Sequence, residues 1–173
     1  MNILPLLAGI ADQYQLDPCG RHGLSHWGRV LENGLRIAER EGGDRTVITL
    51  FAIFHDACRL NEKKDPGHGQ RAAALARDML ADHPLVSTDQ LALLTKACQE
   101  HTDGRIKAAP TIQICWDADR LDLARVGIIP DPAYLATESA RDPETRLWAN
   151  ERAIKNFSPP FVNEQWAAVF QRQ

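Results

Sequence analysis

A chain of 173 residues with 44% apolar composition is long enough to bury one sizeable core, and no linker or shift in composition divides it. Its formal net charge of −3 and pI near 6.1 exclude the global basic footprint of a protein that binds nucleic-acid polymers. Small or soluble partners are expected instead, a second copy of the chain among them.

The apolar opening Met1-Asn2-Ile3-Leu4-Pro5-Leu6-Leu7 has no basic leader, and no later stretch approaches the length that crosses a bilayer. A soluble, unprocessed, cytoplasmic protein without membrane contact is the expectation. Cys19, Cys58, Cys98 and Cys115 are widely separated and form no CxxC pair, so they read as small buried hydrophobes in a reducing compartment.

Hydrophobic periodicity and helix punctuation predict helices at about 2–15, 24–41, 46–57, 66–82, 88–102, 111–126, 132–141, 143–156 and 162–171, with ends open by ~2–4 residues. No run alternates with period two over a strand's length, so the expected fold is a single all-α domain over residues 1–173.

In the helix from 24 to 41, His26 shares a stripe with Val30 and Ile37, beside Trp27, Leu31 and Leu35. The helix from 46 to 57 is apolar nearly all round, which marks it as enclosed by its neighbours and puts its end, His55-Asp56, deep. Gly42-Gly43 before it and residues 61–69 after it are loops, the second carrying Glu62, Lys63, Lys64 and Asp65 as a charged rim.

Asp65-Pro66, Asp131-Pro132 and Asp142-Pro143 each read as an N-cap acid before a proline at the first helical position, and Ser87-Thr88-Asp89-Gln90 fits a capping box. On the helix from 66, His68 lies on a stripe with Ala72, Leu75 and Met79. On the helix from 88, His101 lies on one with Leu91, Leu94 and Cys98.

In the helix from 111 to 126, Ile112, Cys115, Trp116, Leu123 and Val126 form an inward face with Asp119 in its middle. Asp122, one turn on, is placed to orient a ligand or Arg120, whereas Asp117 faces elsewhere and is expected in solvent. Trp27, Trp116, Trp148 and Trp166 occur at helical spacing with aliphatic residues and read as core. The last third, about 128–173, reads as a helical cover over the site or an oligomer surface.

An ionised carboxylate on an apolar helix face is heavily penalised unless it is paired or coordinates a cation. His26, His55, Asp56 and Asp119 together therefore argue for a metal. Two imidazoles and two carboxylates, with no thiolate, suit Mn²⁺, Fe²⁺, Co²⁺ or Ni²⁺, with Mg²⁺ a further candidate.

His26…His55-Asp56…Asp119, set in Ser-His-Trp-Gly-Arg-Val, Phe-His-Asp-Ala-Cys-Arg and Asp-Ala-Asp-Arg-Leu-Asp, resembles the HD-domain metal-dependent phosphohydrolases over roughly residues 20–127. The resemblance implies a helical bundle with the four residues as ligands of one buried ion. It also implies hydrolysis of a phosphate ester of a small molecule, possible nucleotides included, by a metal-activated water.

Arg59, one turn beyond His55, is placed to grip a phosphate, with Lys63 and Lys64 looser at the rim. Several relatives place an acid three or four residues after the dipeptide, where this chain has Arg59 and Leu60. The proton carrier must then come from elsewhere, and Asp56, His101, Glu62 and Glu100 are the candidates, with His22 a possible substrate contact.

His68 and His101 resemble the added ligands of two-metal HD subfamilies. His68 follows the dipeptide more closely than in the best-known two-metal pattern, so contacts to substrate or to a ligand are expected of it. Two other classes stay open: a non-catalytic regulatory module that binds metal or phosphate, and a di-metal oxidase in which His68 and His101 are true ligands.

Overall fold

The computed structural model describes residues 1–171, and no strand occurs among them. In chain order the α-helices are α1 (Leu4–Ala11), α2 (Leu24–Glu41), α3 (Arg45–Phe54), α4 (His68–Leu80), α5 (Thr88–Glu100), α6 (Pro110–Arg120), α7 (Glu138–Arg141), α8 (Pro143–Ile154) and α9 (Ala167–Phe170). Tight 3₁₀ turns at Leu123–Val126 and Pro132–Tyr134 and a π turn at Val162–Trp166 complete the chain.

Asp44 opens α3 by accepting the N–H groups of Thr46 and Val47. From Leu50 to Ala57 every residue is buried, because α2, α4, α5 and α6 all pack against this helix. Phe51, Ile53 and Phe54 are each fully covered, and each such side chain contributes ~1.5–3 kcal/mol of burial. The enclosed helix expected at 46–57 is thus the centre of the fold, and His55-Asp56 follows directly on its last turn.

Two close approaches bring the surrounding helices in. A Cβ at Gly34 of α2 would stand 2.6 Å from Ile48 Cγ2 of α3, and one at Gly69 of α4 would stand 2.5 Å from the Cys98 carbonyl oxygen of α5. The missing side chains let these helix pairs touch. Helices α7 and α8 pack on α2, so the C-terminal third lies against the helix that carries His26.

Several expectations are corrected, the helix expected at 111–126 among them, since α6 stops at Arg120. The helix expected from 66 begins at His68, because Asp65 does not cap it: its carboxylate accepts the Leu60 N–H at 2.9 Å and the Arg71 guanidinium at 2.5 Å. The helix expected at 132–141 is broken into the 132–134 turn and α7. Its missing middle bonds go to Asp117, which accepts from Ala136 N at 2.9 Å, Thr137 N at 2.8 Å and the Thr137 hydroxyl at 2.8 Å. Asp117 is therefore fully buried, not in solvent.

Trp27, Trp116 and Trp166 are core, whereas Trp148 is half-buried beneath the guanidinium groups of Arg36 and Arg152. Cys98 and Cys115 are buried as expected, but Cys19 is exposed and Cys58 only half-buried. Ser87 and Gln90 form the capping box at the start of α5. No described helix is long and apolar enough to cross a membrane.

Candidate metal centre

The inward polar residues gather at helix ends. His26 is the third residue of α2, His55 and Asp56 follow α3, His68 begins α4, His101 follows α5, and Asp119 is the penultimate residue of α6. Helix ends leave backbone carbonyls free to accept further hydrogen bonds, and here such carbonyls hold the imidazoles of His55, His68 and His101.

His55 Nδ1 lies 3.1 Å from the Phe51 carbonyl and 3.2 Å from that of Ala52. His26 Nδ1 lies 2.7 Å from Asp122 Oδ2. Each Nδ1 faces an acceptor and so carries the proton, which leaves each Nε2 with a lone pair directed inward.

Those two Nε2 atoms stand 3.0 Å apart. Asp56 Oδ2 and Asp119 Oδ1 are each 3.5 Å from His26 Nε2, and 3.7 and 3.8 Å from His55 Nε2. Electron-rich atoms that converge where His26, His55 and Asp56 are buried and Asp119 is partly open repel one another unless a cation lies between them. Neighbouring donors around an ion held at ~2.0–2.2 Å stand about 3 Å apart. His26, His55 and Asp56 therefore fit a divalent ion, and Asp119 approaches the same two imidazoles.

A second cluster repeats the pattern. His68 Nδ1 faces the Asp65 carbonyl at 2.5 Å and His101 Nδ1 that of Cys98 at 2.7 Å. Their Nε2 atoms lie 2.9 Å apart, with Asp56 Oδ1 at 3.1 Å from the first and 3.8 Å from the second. The two oxygens of Asp56 thus face two different groups of donors. Both groups, His26-His55-Asp56 and Asp56-His68-His101, have the spacing of a metal site.

Burial pushes the His55 imidazole down to about 3, so the ring is neutral at pH 7, as a ligand must be. Burial alone would raise the Asp56 carboxyl, but at low pH the charge on His55, then hydrogen bonds from His101, His26 and His68, hold it well below the usual carboxylate range. Asp119, against the same opposing burial, is held down at about 2 by His55, His26 and Arg125.

Arg59 stands over the second cluster, with Nη1 at 3.4 Å from Asp56 Oδ1 and 3.2 Å from His68 Nε2, and Nη2 donating to the Lys63 carbonyl at 2.6 Å. Its Nε has no hydrogen-bond partner. Arg59, His68, Lys63, Lys64 and Thr102 line one cleft of about 420 Å³. Lys63 and Lys64 are exposed at its rim, where the sequence placed them.

Glu62 belongs to neither cluster. Its Oε2 meets His22 Nδ1 at 2.5 Å, and the His22 ring meets that of His26 edge-on at 6.2 Å. Glu100 pairs with Arg105 at 3.4 Å instead. Asp122 orients His26 and not Arg120, whose guanidinium donates to the carbonyls of Tyr134 and Arg105.

Sequence reasoning did not anticipate Arg29, which is buried and grips Asp122 through Nε at 2.7 Å and Nη2 at 3.0 Å. The available signal was its spacing: Arg29 falls one turn after His26 on the same side of α2. It also did not anticipate Gly69, whose hydrogen lets α4 and α5 approach closely enough for His68 to meet His101.

No family model matches the chain, and no curated protein matches it. Among solved structures it is similar to a predicted HD superfamily hydrolase from an uncultured Thermotogales bacterium, with 25% identity and a TM-score of 0.63. The match covers 96% of this chain and 92% of that one. With its backbone matched over nearly its whole length and His26, His55 and Asp56 gathered at the centre of the bundle, this chain has the HD superfamily hydrolase fold.

Proposed function

We propose that this protein is a metal-dependent phosphohydrolase acting on a small phosphorylated molecule, and that it uses two ions where the four-ligand motif alone favoured one. The observation that carries the reading is Asp56, whose two oxygens face two lone-pair clusters, the second of which reaches through His68 to a cleft lined by Arg59, Lys63 and Lys64. His26, His55, Asp56 and Asp119 would hold the first ion, and Asp56, His68 and His101 the second. His101 and His68 thereby move from proton carrier and substrate contact to ligands.

Divalent ions so held supply a Lewis acid for a phosphoryl oxygen and bring the pKa of water towards neutrality. Arg59 offers the substrate phosphate an unpartnered Nε beside a planar fork of donors. Lys63 and Lys64 raise the local concentration of anions at the rim. The His22–Glu62 pair holds the transferable proton, in place of the acid that Arg59 and Leu60 leave out after Asp56. A nucleotide is the substrate class to try first, on the strength of the family resemblance.

The test is phosphate release from a panel of nucleotides and sugar phosphates by chelator-stripped protein, with Mn²⁺, Co²⁺, Ni²⁺, Fe²⁺ or Mg²⁺ restored separately. Metal-dependent release that Asp56→Ala abolishes without unfolding supports the reading. Tight metal binding with no release from any substrate sinks it. In that case the approach of His68 to His101 favours the di-metal oxidase, which iron content and oxygen uptake would reveal; without those, the regulatory module remains.

A further inference from the structure

The four inward histidines are not held alike. His55, His68 and His101 each place the Nδ1 proton on backbone carbonyls of their own helix end. His26 places it on a side chain, Asp122. That carboxylate is 1% exposed and is gripped on both oxygens by Arg29, itself 1% exposed. Arg125 adds a weaker contact, its Nε 3.7 Å from Asp122 Oδ2.

Arg29 has one nitrogen left, and it reaches out of the site. Its Nη1 donates to the Phe157 carbonyl at 2.8 Å and to Asn156 Oδ1 at 3.2 Å. These residues form the turn that ends α8: Phe157 N returns to the Arg152 carbonyl at 2.9 Å, and Asn156 sits at φ 46°, the one described non-glycine residue at positive φ. Asparagine tolerates that conformation better than most residues do. A salt bridge from Arg152 to Glu32 ties the same end of α8 to α2. An unbroken chain of hydrogen bonds thus runs from the turn after α8 to Arg29, Asp122 and His26.

We infer that the Asn156–Phe157 turn, acting through Arg29 and Asp122, positions His26, so that the C-terminal third of the chain sets the metal affinity of the cluster that contains His26 more than that of the other. The inference rests on the metal reading of the site but not on hydrolysis. A carboxylate behind an imidazole fixes its tautomer and ring orientation and raises its basicity, and losing such a partner typically costs 10–100-fold in metal affinity. His68 and His101 make no hydrogen bond to Asp122, Arg29 or the turn and meet His26 only through the Asp56 carboxylate that both clusters share, so their cluster feels this chain of contacts less.

The experiment is a Co²⁺ titration of chelator-stripped, full-length protein against a chromophoric chelator, with the visible Co²⁺ bands recorded at each step. Wild type is compared with Asp122→Asn, Arg29→Gln and Asn156→Gly. Asp122→Asn is isosteric, and glycine accepts the Asn156 backbone angle, so both keep the test valid should Arg29→Gln fail to fold. One binding event is expected to weaken by about 10–100-fold in Asp122→Asn, by a smaller factor in Arg29→Gln and a smaller one again in Asn156→Gly. Its Co²⁺ bands should shift, and the other event should change by a clearly smaller factor.

Equal weakening of both events, or unchanged affinity in Arg29→Gln and Asn156→Gly, overturns the inference and leaves the metal reading standing. If wild type takes up a single ion, the same ordering on that event supports the inference and its absence overturns it. Wild type that takes up no Co²⁺ overturns both.

Discussion

Asp56 has oxygens in two donor clusters, so its loss reaches further than that of any single histidine. Asp56→Ala is expected to lower bound metal at both clusters and to cut phosphate release by more than about 100-fold, a larger loss than removal of an outer partner brings. His101→Ala should empty only the second cluster. Metal content after gel filtration separates the two outcomes, and equal losses would contradict the bridging role. Arg59 answers to a different measurement. Charge-assisted hydrogen bonds contribute ~1.5–3 kcal/mol, so Arg59→Met should raise KM by roughly 10–150-fold with a smaller effect on kcat. Arg59→Lys should restore little of it, since an ammonium cannot present two parallel donors. An unchanged KM would remove Arg59 from the phosphate site. At this scale much was legible, because an acid or imidazole on an apolar stripe is conspicuous in sequence. Asp117 was not, because its acceptors face a loop whose position depends on packing far from it in the chain.

Between elements, the contact of α4 with α5 decides whether the second cluster exists. A Cβ at Gly69 would meet the Cys98 carbonyl at 2.5 Å, the Gln99 carbonyl at 3.2 Å and His101 Nδ1 at 3.2 Å. Backbone cannot rotate out of the way as a side chain can. Gly69→Ala is therefore expected to force α4 from α5, cost about 1–3 kcal/mol and weaken the second ion more than the first; thermal unfolding and metal titration read both effects. Asp117→Ala tests the joint between α6 and α7. It leaves the N–H groups of Ala136 and Thr137 without their acceptor, at a cost of about 1–3 kcal/mol for each group left buried. Urea unfolding should show at least about 2 kcal/mol, and a loss under half that would mean the loop swings out to water. The helices α2, α5 and α8 were legible almost to their ends from periodicity and caps. The segment 132–141 was not, since its local pattern supports a helix and a buried carboxylate from another element takes its N–H groups.

Taken whole, the molecule surrounds a central helix, enclosed from Leu50 onward, with polar groups that satisfy one another only in part. His26, His55, His68, His101, Asp56 and Asp119 all converge with lone pairs inward. A ligand that binds only the folded state stabilises it by ~2.7 kcal/mol at a hundred times its Kd, and ~1 kcal/mol moves the midpoint of a domain of this size by about 2–4 °C. Stripping metal with a chelator is expected to lower Tm by about 5–10 °C, reversibly on adding Mn²⁺ or Co²⁺. An unchanged Tm would mean the clusters hold no ion in solution.

What the sequence determined by itself was the set of helices, the enclosed segment ending in His55-Asp56, and the inward facing of His26, His68, His101 and Asp119. Each of these follows from a repeat of 3.6 residues and from the cost of burying charge, and both act along a single helix. What only the tertiary structure decided was which of those groups meet. The approach of His68 to His101, the division of Asp56 between two clusters, and the line from Phe157 through Arg29 and Asp122 to His26 join residues up to 128 positions apart. Sequence spacing carries no information about such distances, because they are set by how closely helices pack and where glycine lets them touch.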